Sequence, residues 1–161
     1  MKFIRPLLLA ALAATALTAQ AKYNGEDRGK PVMPSEVNAK WQAECGSCHM
    51  AFPPGLLPAA SWKKLMVGLD KHFGTDASLS AADASEITNY LTKYPSNRWT
   101  ASTAPLRITD SEWFKAKHYN KGEIAPDVWK RESVKSPGNC MACHQGADKG
   151  IFDDKGIQIP K

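Results

Sequence analysis

The segment CGSCH at 45–49 and the segment CMACH at 140–144 share one pattern, in which a histidine follows two cysteines that are separated by two residues. This C-x-x-C-H pattern is the attachment signature of c-type haem. Each thiol adds to one vinyl group of the porphyrin, and the adjacent histidine ligates the iron. The sequence therefore predicts two covalently bound haem c groups, held by the chain's four cysteines, Cys45, Cys48, Cys140 and Cys143.

The number of histidines matches two haems that each have two histidine ligands. The sequence contains four histidines. His49 and His144 close the two motifs and are the predicted proximal ligands of haem 1 and haem 2, respectively. His72 follows the first motif and His118 precedes the second, so we assign His72 to haem 1 and His118 to haem 2. The crossed assignment, in which His118 serves haem 1, stays open.

Paired cysteines also occur in zinc ribbons and in local disulfides. A zinc ribbon places about 15–20 residues between its two pairs, whereas 91 residues separate Cys48 from Cys140. Two disulfides could form in an oxidising compartment. Neither alternative gives a role to the histidine that follows each pair, so haem attachment explains more of the pattern.

The N-terminal segment 1–21 has the composition of a secretory signal. Lys2 and Arg5 flank the start of a short apolar run rich in leucine and alanine, and AQA at 19–21 fits the small-residue cleavage rule. The apolar run is shorter than the ~18 residues that a membrane-spanning helix needs. We therefore expect cleavage after Ala21, a periplasmic protein, and no membrane span in the mature chain.

The charge of the chain argues against nucleic-acid binding. The full sequence has a formal net charge of +5, and loss of Lys2 and Arg5 with the signal would lower it to +3. Four ionised haem propionates would bring the holoprotein to about −1. Lysines such as Lys115, Lys117 and Lys121 are more simply a solvated face or the rim of a docking surface than a basic stripe.

Apolar residues at helical spacing predict a mainly α fold, and no long strand alternation appears. Ser35, Ser80 and Thr109 are the predicted caps of three helices, and Gly74 is the predicted stop of another. The prolines of FPPGLLP at 52–58 bar regular helix, so this segment should wrap a haem edge. The predicted helices run over 35–45, 61–73, 80–94, 109 through His118, and 126–134.

Composition divides the chain further. A polar leader at 22–34 contains two glycines and two prolines, and 96–108 is a linker rich in serine, threonine, alanine and proline. The segment LSAADASEITNYL at 79–91 is similar to the closing helix of a class I cytochrome c. That resemblance implies a class I-like haem domain over 35–95, followed after the linker by a smaller, irregular helical haem unit over 109–161.

The chain as a whole resembles the dihaem cytochrome c family of purple phototrophs and other proteobacteria. Besides the two motifs, the resemblance rests on the segments FPP at 52–54, SW at 61–62 and HFG at 72–74. It implies two low-potential bis-histidine haems. It also implies redox partners: a small oxygen-binding c-type cytochrome as electron acceptor, and often a membrane cytochrome b upstream.

Ligation also predicts the function. An iron with two histidine ligands has no open site for oxygen or peroxide, and histidine in place of methionine lowers its reduction potential. We therefore expect an electron carrier and not an enzyme. A dihaem enzyme with a labile His118, peroxidase-like or ligand-binding, is the alternative, and a haem subunit of a larger respiratory complex would keep the same chemistry. Met33 and Met66 are the methionines that could replace a distal histidine.

Overall fold

The computed structural model describes residues 31–97, 104–119 and 124–161. The predicted signal over 1–21 lies outside the described residues, as do most of the leader and the central part of the linker. Below, the N-terminal part means 31–97, and the C-terminal part means the described residues from 104 onward. The described residues form α-helices, 3-10 helices and turns but no β-strand, which confirms the predicted mainly α fold.

Four α-helices are present in the described residues. They are α1 (Ala39–Cys45), α2 (Ala59–Val67), α3 (Ala81–Lys93) and α4 (Glu112–His118). The rest of the fold is built from 3-10 turns, at Pro54–Leu56, Leu69–Lys71, Ile108–Asp110, Val128–Lys130, Cys140–Ala142, Ala147–Lys149 and Asp154–Gly156. Within the described residues, no helix has the length and apolar character that a membrane crossing requires.

Helix starts follow the local capping chemistry. The first helix starts later than predicted, because the Asn38 side chain and not Ser35 accepts a hydrogen bond from the backbone N–H of Trp41, at 2.7 Å. Ser80 caps α3 as predicted and accepts from the N–H of Asp83 at 3.1 Å.

The second predicted helix, over 61–73, is wrong at its C-terminal end. α2 ends at Val67, because Gly68 leaves the helical conformation and its N–H closes the last turn on Leu65. A 3-10 turn follows, and His72 comes directly after it. Gly74, the predicted helix stop, instead belongs to a separate turn in which its φ is +101°.

The C-terminal part is less regular than the sequence suggests. α4 is capped by Ser111, which accepts from the N–H of Phe114 at 3.1 Å, and not by Thr109, because Thr109 lies within the preceding 3-10 turn. The helix predicted over 126–134 is a single 3-10 turn at Val128–Lys130, since Arg131 takes an extended conformation.

The larger core lies in the N-terminal part, where α3 packs against α2 and α1. The proline-rich loop joins this core, because the Trp62 indole N–H donates to the carbonyl of Pro54 at 2.7 Å, and the side chains of Pro53 and Pro54 are fully buried. Burial of one large apolar side chain stabilises a fold by about 1.5–3 kcal/mol. The centre of this core consists of Trp41, Leu57, Ile87, Tyr90 and Leu91.

A short segment of the leader contacts both parts of the chain. The N–H of Gly55 donates to the carbonyl of Val32 at 2.9 Å. A Cβ atom added at Gly150 would lie 2.5 Å from the Cβ of Met33, so glycine allows this close approach. The segment around Val32 and Met33 therefore lies between the proline-rich loop and the C-terminal part.

Candidate haem-binding sites

The rings of His49 and His72 face each other in the N-terminal part. Their centroids lie 6.2 Å apart and their planes are tilted by 27°. α1 carries Cys45 as its last residue and leads into the first motif. α2 and its 3-10 turn bring the chain back, so that His72 lies opposite the histidine of that motif.

A strained turn presents His72. Phe73 has a φ of +51° and Gly74 a φ of +101°. For a bulky residue such as phenylalanine the left-handed region is unusual and costs of order 1–3 kcal/mol. The turn is closed by a hydrogen bond from the N–H of Thr75 to the carbonyl of His72, at 3.1 Å. The Phe73 ring meets the His72 ring edge-on, with 4.8 Å between centroids.

A second pair of imidazoles lies in the C-terminal part. The ring centroids of His118 and His144 are also 6.2 Å apart, with the planes near perpendicular at 73°. His118 is the last residue of α4, and the Phe114 ring one turn earlier stacks on it at 4.0 Å. Trp129 contacts the same imidazole, with 6.1 Å between centroids.

The equal separation of the two pairs has a simple chemical meaning. A metal–imidazole nitrogen bond is about 2.0 Å long, and the ring centroid lies about 1 Å beyond that nitrogen, so two imidazoles on opposite sides of one metal would have centroids about 6 Å apart. Both observed separations, 6.2 Å, match this value. The structure thus brings together the predicted partners, His49 with His72 and His118 with His144.

Two of the imidazoles are oriented by backbone carbonyls. Nδ1 of His49 lies 2.8 Å from the carbonyl oxygen of Met50, and Nδ1 of His118 lies 2.9 Å from that of Phe114. An Nδ1–H that donates to a carbonyl leaves Nε2 unprotonated, which is the form that ligates metals. These contacts therefore favour the tautomer of His49 and His118 in which Nε2 is free to bind a metal.

Burial favours the neutral, ligating form of three histidines. Desolvation is the main cause that lowers the pKa of His72, followed by the charges of His49 and Arg107. Desolvation also lowers the pKa of His118, although its hydrogen bond to Phe114 acts in the opposite direction. Desolvation and His118 lower the pKa of His144.

No disulfide joins any two of the four motif cysteines. Burial raises the pKa of Cys45 and of Cys140 to about 11, and it also raises the pKa of Cys143. The described residues, which include every cysteine and histidine, contain no group of three or more metal-ligating side chains from the set His, Cys, Asp and Glu. The four cysteines are thus not gathered in the way that a zinc ribbon requires.

An apolar cavity of about 790 Å³ lies beside the first motif. Its wall includes His49 and Trp41 from the N-terminal part and Met141 from the second motif. Met33 also lines this cavity, whereas Met66 lines a separate groove between α2 and α3. The cavity thus borders the proximal histidine of the first motif and one residue of the second motif, whereas the motif cysteines and His72 do not line it.

Two C-x-x-C-H motifs, each with a pair of neighbouring imidazoles on a mainly helical fold, define a c-type cytochrome with two haem sites. The sequence model of the dihaem cytochrome c family matches residues 41–152. No curated protein sequence matches the chain.

Solved structures agree with the family match. A dihaem cytochrome c from Rhodobacter sphaeroides is 38% identical, has a TM-score of 0.66, and the match covers 72% of this chain and 97% of that one. A crystal structure of the protein purified from the same organism gives 42% identity, a TM-score of 0.64, and coverage of 73% and 98%. A dihaem cytochrome c from Shewanella baltica is 38% identical and has a TM-score of 0.67. The match covers 76% of this chain and 93% of that one.

The chain belongs to the dihaem cytochrome c family, and two covalently bound c-type haems are its cofactors. The resemblance inferred from the sequence is confirmed. Cytochromes of this class are suited to electron transfer with redox proteins, because haem iron changes its charge by one unit.

Some residues around the sites have no role that sequence pattern could predict. The only sequence feature that hints at the left-handed conformation of Phe73 is the glycine that follows it, Gly74. The guanidinium of Arg107 lies over the Phe73 ring, 3.8 Å from its centroid. No sequence pattern predicts this contact, because it joins distant segments. Trp129 was predicted only as part of a short helix, yet it contacts His118.

Proposed function

We propose that this protein is a periplasmic cytochrome that carries single electrons through two low-potential haems, each with two histidine ligands. The observation that carries the proposal is the separation of 6.2 Å in both imidazole pairs. His49 and His72 would hold iron 1, and His144 and His118 would hold iron 2. The chain would then supply two protein ligands to each iron.

The residues of the chain suit covalently attached haem. Cys45 and Cys48 lie on the same motif as His49, and Cys140 and Cys143 on the same motif as His144, so each motif can hold one ring edge and one iron. When bound, the haem supplies reversible one-electron chemistry. The Trp129 indole N–H is buried and has no hydrogen-bond partner in the protein. A haem propionate would supply the acceptor that this donor lacks.

Ligation and location support transport over catalysis. A site filled by two imidazoles leaves no position for peroxide or oxygen, and no histidine remains for acid–base work beside the metal. The signal-like segment 1–21 supports export to the periplasm.

We propose a class I-like domain over 35–95 and a second haem unit over 109–161. The partners would be redox proteins such as a small oxygen-binding c-type cytochrome or a membrane cytochrome b.

The haem count gives the first prediction. Intact-mass analysis of protein from the periplasm should show cleavage after Ala21 and the added mass of two haems. Replacing Cys140 and Cys143 with serine should remove the mass of one haem and leave the other, because each motif binds its own ring. One haem in the wild type, or two in that double variant, would contradict the assignment of one haem to each motif.

The second prediction separates a carrier from an enzyme. The reduced protein should pass electrons rapidly to a partner cytochrome, whereas carbon monoxide should bind slowly or not at all. Both reduction potentials should lie below zero against the hydrogen electrode, since histidine replaces the methionine of ordinary cytochrome c. Stopped-flow spectroscopy and a redox titration would measure these properties.

Salt and peroxide provide the controls for that measurement. If charged rims steer docking, the partner reaction should slow as ionic strength rises, because the screening length is only ~10 Å at 0.1 M. Peroxide turnover should not exceed that of free haem. Rapid carbon monoxide binding to the wild type, or faster peroxide turnover, would favour the dihaem enzyme instead.

A further inference from the structure

A positively charged side chain covers the turn that presents His72. The guanidinium carbon of Arg107 lies 3.8 Å from the centroid of the Phe73 ring. The Phe73 ring also contacts the His72 ring edge-on, at 4.8 Å between centroids. Arg107 directly precedes the 3-10 turn Ile108–Asp110. Arg107 over the Phe73 ring, and the edge-on contact of that ring with His72, thus link the C-terminal part to the predicted distal ligand of haem 1.

The turn that presents His72 needs contacts from outside itself. A phenylalanine with a φ of +51° is unfavourable, and such a conformation persists only where the surroundings hold it. The Phe73 side chain is 42% exposed, so the protein core does not enclose it. Arg107 is well placed to supply the missing contact, because the next residue, Ile108, packs against the core of the N-terminal part.

We propose that Arg107 is a positioning residue for the distal ligand of haem 1: by stacking on Phe73 it holds the turn that keeps His72 on the iron. The proposal rests on the proposed bis-histidine ligation. Cation–π contacts with a planar guanidinium combine charge with ring stacking, which lysine reproduces only in part. A fixed positive charge beside the site also favours the reduced iron, so Arg107 should raise the potential of haem 1.

The test uses carbon monoxide binding to the reduced full-length holoprotein. Arg107→Ala should bind carbon monoxide to haem 1 about two- to fivefold faster than the wild type, the range that one exposed cation–π contact implies. Its haem 1 potential should also fall. Arg107→Lys should have a haem 1 potential close to that of the wild type, and a carbon monoxide binding rate between those of the wild type and Arg107→Ala. If Arg107→Ala does not fold, Arg107→Lys provides the test.

Lys71→Ala is the matched control, because Lys71 is an exposed cation next to His72. Lys71→Ala should leave the rate of carbon monoxide binding unchanged, since Lys71 precedes His72 in the chain, whereas Phe73 follows it. A rate increase as large as that of Arg107→Ala would overturn the positioning role. The haem 2 spectrum, which should not change in any variant, reports that the chain has folded with both haems.

A double-mutant cycle tests whether Arg107 acts through the ring. Phe73→Ala alone should accelerate carbon monoxide binding, and adding Arg107→Ala to it should have no further effect on the rate. Additive effects would overturn the proposal. If Arg107→Ala binds carbon monoxide as slowly as the wild type does, this inference fails and the bis-histidine proposal stands. If the wild type itself has a high-spin haem 1 that binds carbon monoxide rapidly, both fail.

Discussion

Replacing all four cysteines with alanine should leave a largely unfolded chain. The C-terminal part has only one α-helix, and its buried apolar residues are few, chiefly Phe114, Val128, Val134 and Ala147. A chain of this size buries a modest fraction of its surface, and two apolar rings would supply much of the missing contact. The free energy of unfolding should fall by about 5 kcal/mol or more, comparable to the whole stability of a small domain.

Two half-variants make this prediction sharper. Cys140→Ala with Cys143→Ala should unfold the C-terminal part but leave most of the N-terminal helices, because α1, α2 and α3 share their own core around Ile87. Cys45→Ala with Cys48→Ala should be the more damaging pair, since the cavity beside the first motif borders both parts. Far-ultraviolet circular dichroism and limited proteolysis would measure the loss. A native-like spectrum in the four-cysteine variant would contradict the structural role of the haems.

Sequence predicted the cofactors well because their chemistry is local. A C-x-x-C-H motif carries its thiols and its proximal ligand within five residues, so no tertiary knowledge is needed to find it. The distal ligands followed from the histidine count and from position along the chain. The structure places the rings of the predicted partners together, while the ligation itself stays a prediction.

Helix boundaries were harder to predict because competing signals lie close together. Ser35 and Asn38 can both cap a helix. Asn38 sets the start of α1, because its side chain accepts the hydrogen bond from the backbone N–H of Trp41. The apolar stripe through His72 suggested one continuous helix, but Gly68 interrupts it. That interruption matters for the site, because His72 then lies at a turn instead of on a helix.

The surroundings of the histidines could not be predicted, since they depend on contacts between distant segments. The stack of Arg107 on Phe73 joins the C-terminal part to a turn of the N-terminal part. The approach of the Met33 segment to Gly150 is equally remote. Spacing and periodicity describe only neighbours along the chain, so these contacts appear first in the folded structure.

His72→Ala should convert haem 1 to a five-coordinate, high-spin state and leave haem 2 low-spin. Without His72, no second imidazole lies beside His49, whose other ring neighbour is Phe52. Carbon monoxide binding to the reduced protein should accelerate by about a hundredfold or more, equivalent to ~2.7 kcal/mol of lost protection. Electron paramagnetic resonance and optical spectra would show one high-spin and one low-spin iron.

His118→Ala is the reciprocal variant and should make only haem 2 high-spin, because His118 faces His144. Combining each histidine change with Cys140→Ala and Cys143→Ala, which should leave the N-terminal helices in place, shows whether haem 1 is the haem that responds. His72→Met should instead keep a six-coordinate iron and raise the potential of haem 1, since a thioether ligand favours the reduced state. If His72→Ala alters the haem held by Cys140 and Cys143, the ligands are crossed. If it alters neither haem, a different residue such as Met33 ligates iron 1.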